Sequence, residues 1–123
     1  MKVLTVCQPY AEMIARGEKL IENRTWSTPY RGPMAIHAGK SRSWLEYGDE
    51  LDYPNMAFGA VIAIADLVAC VPVWELPYEE QKSIHANGPW CWKLANVRRI
   101  NPVLFRGAQG LWNWHPTNEE IHV

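Results

Sequence analysis

The sequence predicts an α+β fold, a small β-barrel with flanking helices. Three observations carry this. Five or six segments have strand length and strand patterning, against only two or three short helical ones. The chain opens on a strand–helix–strand unit. Its 123 residues contain no internal repeat and no linker long enough to divide them, so residues 1–123 form one domain around one core.

The elements follow in order. Lys2 to Val6 reads as a strand. Gln8-Pro9 starts a helix, with proline at the first helical position, where its missing N–H costs nothing. Tyr10, Met13 and Ile14 keep helical spacing, and Gly17 is the natural stop. Leu20 to Trp26 alternates as a strand. Ser27 to Pro33 is a loop rich in turn residues, and Met34 to Ala38 a strand closed by Gly39. Ser41 to Leu51 reads as either a helix or an acidic loop, and Asp52 to Asn55 as a turn. Phe58 to Val71 is apolar at nearly every position, the pattern of a central strand covered on both faces. Asp66 within it requires a hydrogen-bond partner or a sheet end. Glu75 to His85 reads as a second surface helix, and Asn87-Gly88-Pro89 as a turn. Trp90 to Arg98 alternates as a strand, followed by a short strand at Val103-Leu104. Leu111 to Trp114 is the last strand, and a mobile tail is expected from about His115.

Charged residues make up 20% and hydrophobic ones 48%, the composition of an ordinary soluble globular domain. No apolar run approaches the ~18 to 20 residues needed to span a bilayer, and the N-terminus does not read as a signal peptide. No membrane partner and a cytoplasmic location are the expectation. Cys7, Cys70 and Cys91 stand far apart and make no zinc-type spacing, so they read as reduced, mostly buried thiols, and no metal is expected. The net charge of −1 is uneven. Arg16 to Arg42 carries six basic and two acidic residues, Ser43 to Glu80 eight acids and no lysine or arginine, and Gln81 to Arg106 five basic residues and no acid. These segments either form a basic and an acidic face or interleave and cancel.

The stretch Gly17-Glu18-Lys19-Leu20-Ile21-Glu22-Asn23-Arg24-Thr25-Trp26 is the most informative. Side chains two apart on a strand share a face, so Glu22, Arg24 and Trp26 line up, with Lys19 at the turn before them. A cation, a carboxylate, a guanidinium and a large ring in one row suit a nucleobase joined to a phosphate. The same residues are also read as an exposed ion pair beside a core tryptophan.

Gln8-Pro9-Tyr10-Ala11, the Gly17-x-Lys19-x-x-Glu22-x-Arg24-x-Trp26 run, Tyr30-Arg31-Gly32 and Ile36-His37-Ala38-Gly39-Lys40 together resemble the ASCH domain, the activating-signal-cointegrator homology domain. Gly59 to Ala63 and Trp90-x-Trp92-x-Leu94 also fit. The resemblance implies a PUA-like β-barrel with a cleft lined by the lysine, glutamate and arginine. It implies RNA or DNA binding, RNA cleavage or transcription coactivation. One branch is an amidohydrolase acting on N4-acylated cytidine. It has a lysine matching Lys19, but a threonine where this chain has Glu22.

Three functions remain open. In the first, the domain binds single-stranded RNA or a nucleotide-like ligand. Lys19, Arg24, Arg31, Lys40 and Arg42 would hold phosphate, Trp26 and Trp92 would stack on bases, and Glu22 would accept from an exocyclic amine. Arg31 has the alternative of pinning its own loop, and His37 is read as a satisfied core histidine. In the second, a hydrolase of RNA or a modified nucleoside, Lys19, Glu22 and Tyr30 would do the proton transfers. No cofactor is expected in either, because no nicotinamide fingerprint, phosphate-binding glycine loop or metal motif is present. The third is a protein-interaction adaptor using exposed tryptophans and the acidic middle segment.

Overall fold

A computed structural model describes residues 1–116. Residues 117–123, which hold His122 and most of the expected mobile tail, lie outside the described part. The described elements are β1 (Lys2–Val6), α1 (Tyr10–Ala15), β2 (Ile21–Arg24), β3 (Gly32–Ala38), α2 (Asp49–Asp52), β4 (Ala60–Pro72), α3 (Tyr78–Gln81), β5 (Trp90–Leu104) and β6 (Leu111–Asn113). The six strands form one sheet in the order β2-β5-β4-β3-β1-β6. β1 and β3 are parallel, joined through α1 and β2, and the other pairings are antiparallel. The sheet curls into a half-barrel, and the fold is α+β with the PUA-like architecture.

Strand alternation places most of the buried apolar residues in two clusters, and Ile21, Leu76 and Cys91 form a smaller third. Leu4, Val6, Met34, Ile36, Leu67, Trp92 and Leu94 pack with Ile14 of α1 on the inner side. Val3, Ala35, Val61, Ile64, Ile100 and Trp114 form the second cluster. β4 lies between β3 and β5, and Ala60 to Ala65 are buried at every position, as its apolar run predicts, but the cover on both faces ends there: from Asp66 to Val71 burial is partial and Val68 is 52% exposed. Ile62 and Ala63 are neighbours in sequence, yet both belong to the inner core. A register shift between Val61 and Ala63 allows this, because an extra residue reverses the alternation. Asp66 finds its partners in Asn96 (2.9 Å) and Arg98 (3.3 Å).

Several expectations change. β5 is one strand of 15 residues, so the separate strand at Val103-Leu104 is its end; irregularities in its pairing with β4 let it bend without breaking. The expected helix from Glu75 to His85 shrinks to a 3-10 turn at Val73–Glu75 and the single turn α3. Neither presents a buried residue, and without an apolar face to bury a longer helix has little to hold it. Ser41 to Leu51 is mostly irregular and ends in the short α2. Helix α1 begins at Tyr10, one residue after Pro9.

The charged segments interleave. Lys93 pairs with Glu80 (2.7 Å), Arg98 with Asp66 (3.3 Å), Arg42 with Glu50 (3.2 Å), and Arg99 of β5 with Glu12 of α1 (2.5 Å). No helix among the described residues is long and apolar enough to cross a membrane.

Helix α1 is fixed at both ends of its buried side. The Gln8 amide donates to Ala57 O (2.8 Å), and its carbonyl accepts from Glu12 N (2.9 Å). Glu12 receives both Nη groups of Arg99 and Nε of Arg16. Burial pushes the Glu12 carboxyl up, but the hydrogen bonds and charges of Arg99 and Arg16 outweigh it and hold it below 4.5. A carboxyl depressed in the folded state contributes stability that is present above its unfolded value. That stability is lost as pH falls through the folded one. Urea unfolding at pH 7, 5 and 3 will therefore show a smaller acid loss for Glu12→Gln than for wild type. Equal losses would show that the clamp carries no proton linkage.

Candidate functional site

Gly17 closes α1 in the left-handed region, φ +76°, where a glycine pays no steric penalty. The turn brings Glu18 N and Lys19 N to the carbonyl of Met13 (2.9 and 3.2 Å). It swings Lys19 back under the helix, where it is 3% exposed. Its ammonium donates to Ile21 O and to Glu22 Oε1, the latter at 3.1 Å. The other oxygen of Glu22 accepts from Arg24 Nη2 at 2.8 Å. Lys19, Glu22 and Arg24 thus form a chain of two cations on one carboxylate. An ammonium has three hydrogens, and two of these are engaged within the protein.

Arg24 also closes the curl of the sheet. β2 is the strand at one edge, and β1 lies next to the other edge. Arg24 Nη2 spans the gap to Thr5 O of β1 at 2.7 Å. Between these strands and α1 lies a cavity of about 750 Å³. Lys19, Glu22, Arg24 and Trp26 all line it, together with Thr5, Cys7, Tyr10, Trp44, His85 and Asn87. Trp26 lies beyond the end of β2 and packs edge-on against Trp92, with centroids 4.8 Å apart and planes at 83°. Trp44 is 59% exposed and leans on Tyr10, with centroids 6.5 Å apart.

Asn23 fixes the wall on the far side of β2. Its amide nitrogen donates to His85 O (2.8 Å), and its oxygen accepts from Asn87 N (3.0 Å) and Gly88 N (2.8 Å). These bonds hold the loop that carries His85 against the cavity. Burial first, and then the charge of Lys19, push the His85 imidazole below its usual range. Both effects favour the neutral imidazole, which can donate at one ring nitrogen and accept at the other.

The other expected site residues lie elsewhere. Trp92 is wholly buried, and its indole N–H donates to Trp26 O (3.2 Å), so it supports Trp26 from below and offers no face to a ligand. The Tyr30 hydroxyl is engaged with Pro33 O (2.5 Å) and does not line the cavity. Arg31 pins its loop through the carbonyls of Thr28 and Tyr30 (2.9 and 2.7 Å). The Lys40 stem lies along Gly59, and the Arg42 guanidinium sits 4.0 Å over the Phe58 ring. Neither lines the cavity. His37 is the buried, satisfied histidine expected, held by Phe105 O (2.6 Å) and Thr5 Oγ1 (3.2 Å). Cys70 and Cys91 are buried free thiols, while Cys7 reaches the cavity wall. No group of three or more metal-ligating side chains occurs among the described residues.

Sequence reasoning missed Tyr10, Trp44, His85 and Asn87. Trp44 carried a usable signal. It is a tryptophan in a polar stretch without periodicity, Lys40-Ser41-Arg42-Ser43-Trp44, where no core face exists to bury it. His85 and Asn87 carried none, because their loop is brought to the cavity by long-range contacts, the Asn23 bonds and the packing of Ala86 against Ile21, Leu76 and Cys91.

The curled six-strand half-barrel with its few short helices is a PUA-like fold. The chain belongs to the ASCH domain family, whose model matches residues 4–104, a family associated with RNA binding. The chain is 33% identical over 81 residues to activating signal cointegrator 1 of Mus musculus, and 30% identical over 81 residues to that of Homo sapiens. Each match takes in 55% of this chain and 14% of the cointegrator, so the chain spans about one seventh of those relatives' length. Among solved structures, an ASCH protein from Zymomonas mobilis superposes with a TM-score of 0.58 at 19% identity. That superposition covers 97% of this chain and 89% of the other. Its Y47F variant gives 0.56 at 19% identity, covering 97% and 91%. At these identities the likeness is one of fold.

Proposed function

We propose that the cleft binds single-stranded RNA, with a phosphate near Lys19 and Arg24 and a base against Trp26 or Trp44. The observation that carries this reading is the Lys19–Glu22–Arg24 chain in the wall of an aromatic cavity. Two cations and one carboxylate leave a net positive charge in a partly desolvated site, which favours an anion. Indole faces accept any base. Glu22 spends both oxygens on the cations, so here it orients them and is less available to read a base edge. Membership in a family associated with RNA binding supports the same reading.

Trp44 gives a clean test because it is exposed and its removal should cost little stability. Loss of one stacked base costs ~1 to 3 kcal/mol. Trp44→Ala should weaken binding of a short single-stranded RNA by about tenfold in fluorescence anisotropy. An unchanged affinity would exclude Trp44 as a stacking platform. Product release from RNA and from N4-acetylcytidine, measured on the same protein, tests the second reading, hydrolysis. That reading draws on Lys19, Glu22 and a neutral His85 sharing one cavity. Under it, Lys19→Ala abolishes turnover while RNA still binds. Absence of both binding and turnover would favour an adaptor role of the kind the name of the cointegrator relatives denotes.

A further inference from the structure

A second cavity, of about 400 Å³, adjoins the first. Thr5, Arg24 and Trp26 line both, and Ala108, Gln109 and Gly110 complete the smaller one. These three wall residues therefore stand between two concave spaces. The loop on the far side is set in place by the core. The Thr5 hydroxyl donates to Ala108 O at 3.3 Å. Gly107 approaches His37 so closely that an added Cβ would lie 2.7 Å from the imidazole Cε1. Among the described residues, the smaller cavity is lined by no carboxylate, and Arg24 is its one charged lining residue.

We propose that the smaller cavity is a second nucleotide subsite, so that the ligand is RNA of at least two linked nucleotides with its phosphodiester at Arg24. The inference rests on the reading of the larger cavity as the RNA cleft. A guanidinium on the wall shared by two cavities can hold the phosphate that joins a residue in one to a residue in the other. The Trp26 indole borders both spaces and can pack against either base. A lone mononucleotide fills the larger cavity and leaves the smaller one to water. The Gln109 amide supplies a donor and an acceptor for the base or ribose that enters the smaller cavity.

The test is a competition series on the full chain, using cytidine 5′-monophosphate, the 5′-phosphorylated dinucleotide CpC and tetracytidylate. Wild type should bind the dinucleotide at least about tenfold more tightly than the mononucleotide, the gain of one further base contact. Ala108→Leu narrows the smaller cavity at an exposed loop position, where folding is little affected. It should erase that gain and leave mononucleotide affinity unchanged. Equal affinity for mono- and dinucleotide in wild type, or a gain that survives Ala108→Leu, would overturn the second subsite while the RNA cleft stands. No binding of any of the three would overturn the cleft and the subsite together.

Discussion

Arg24→Ala will weaken binding of single-stranded RNA by more than tenfold and flatten its salt dependence. The guanidinium has three positions in the structure at once. It neutralises Glu22, joins β2 to β1 through Thr5 O, and lines both cavities. Removing one phosphate contact to a single strand lowers the slope of log K against log salt by about 0.7. Arg24→Lys keeps the charge and should keep most of the slope, but lysine cannot reproduce the forked geometry, so affinity should still fall. The Nε of Arg24 is buried and has no hydrogen-bond partner among the described residues. An unmade buried bond of this kind costs about 1 to 3 kcal/mol. Anisotropy titrations across a salt series, with urea unfolding of each variant as control, read both effects. A lost affinity with an unchanged slope would mean that Arg24 shapes the cleft without touching phosphate.

Glu22→Ala will produce the largest loss of stability in the cleft, about 3 to 5 kcal/mol, the cost of removing one partner from a buried ion pair. The two cations it leaves behind differ. Arg24 has a side chain 23% exposed and can turn to water. Lys19 has a side chain 4% exposed, and its remaining protein acceptor is Ile21 O. An ammonium held there without a counter-charge is expensive. Glu22→Gln keeps an oxygen for Lys19 but loses the charge, so it should fall between wild type and alanine. Urea unfolding at pH 7 measures the series. If glutamine and alanine destabilise equally, the charge of Glu22 matters and its hydrogen bonds do not. If neither shifts the midpoint, Lys19 has found another partner and the chain of charges is not structural.

Sequence alone determined much of this protein. Apolar periodicity sets β1, α1, β3 and β4, because burial on one face or two leaves a local trace in the order of residues. The GxKxxExR run placed the cleft, because alternation puts Glu22 and Arg24 side by side wherever the strand lies, and a glycine at 17 must end the helix. His37 was readable as a satisfied core histidine from its place on an apolar strand, although its partners Thr5 and Phe105 lie far off in the chain, whereas Arg31, expected to hold phosphate, pins its own loop instead.

The tertiary structure decided the rest. The charge segments could have formed opposed faces or interleaved, and they interleave: Asp66 of β4 meets Arg98 of β5 and Glu80 meets Lys93, while Glu12 of α1 meets Arg99 of β5. No local rule could pair residues 87 positions apart. Trp92 shares an alternating face with Trp90, but the curl of the sheet turns it inward beneath Trp26, where it can only support another ring. The second cavity and the His85 wall of the first depend on long-range bonds from Thr5, Arg24 and Asn23, while Trp44 reaches the first by leaning on Tyr10 of α1. Side-chain alternation is a property of neighbours along the chain and is written there. Closure of a sheet is a property of its two edges, and these meet only in the folded molecule.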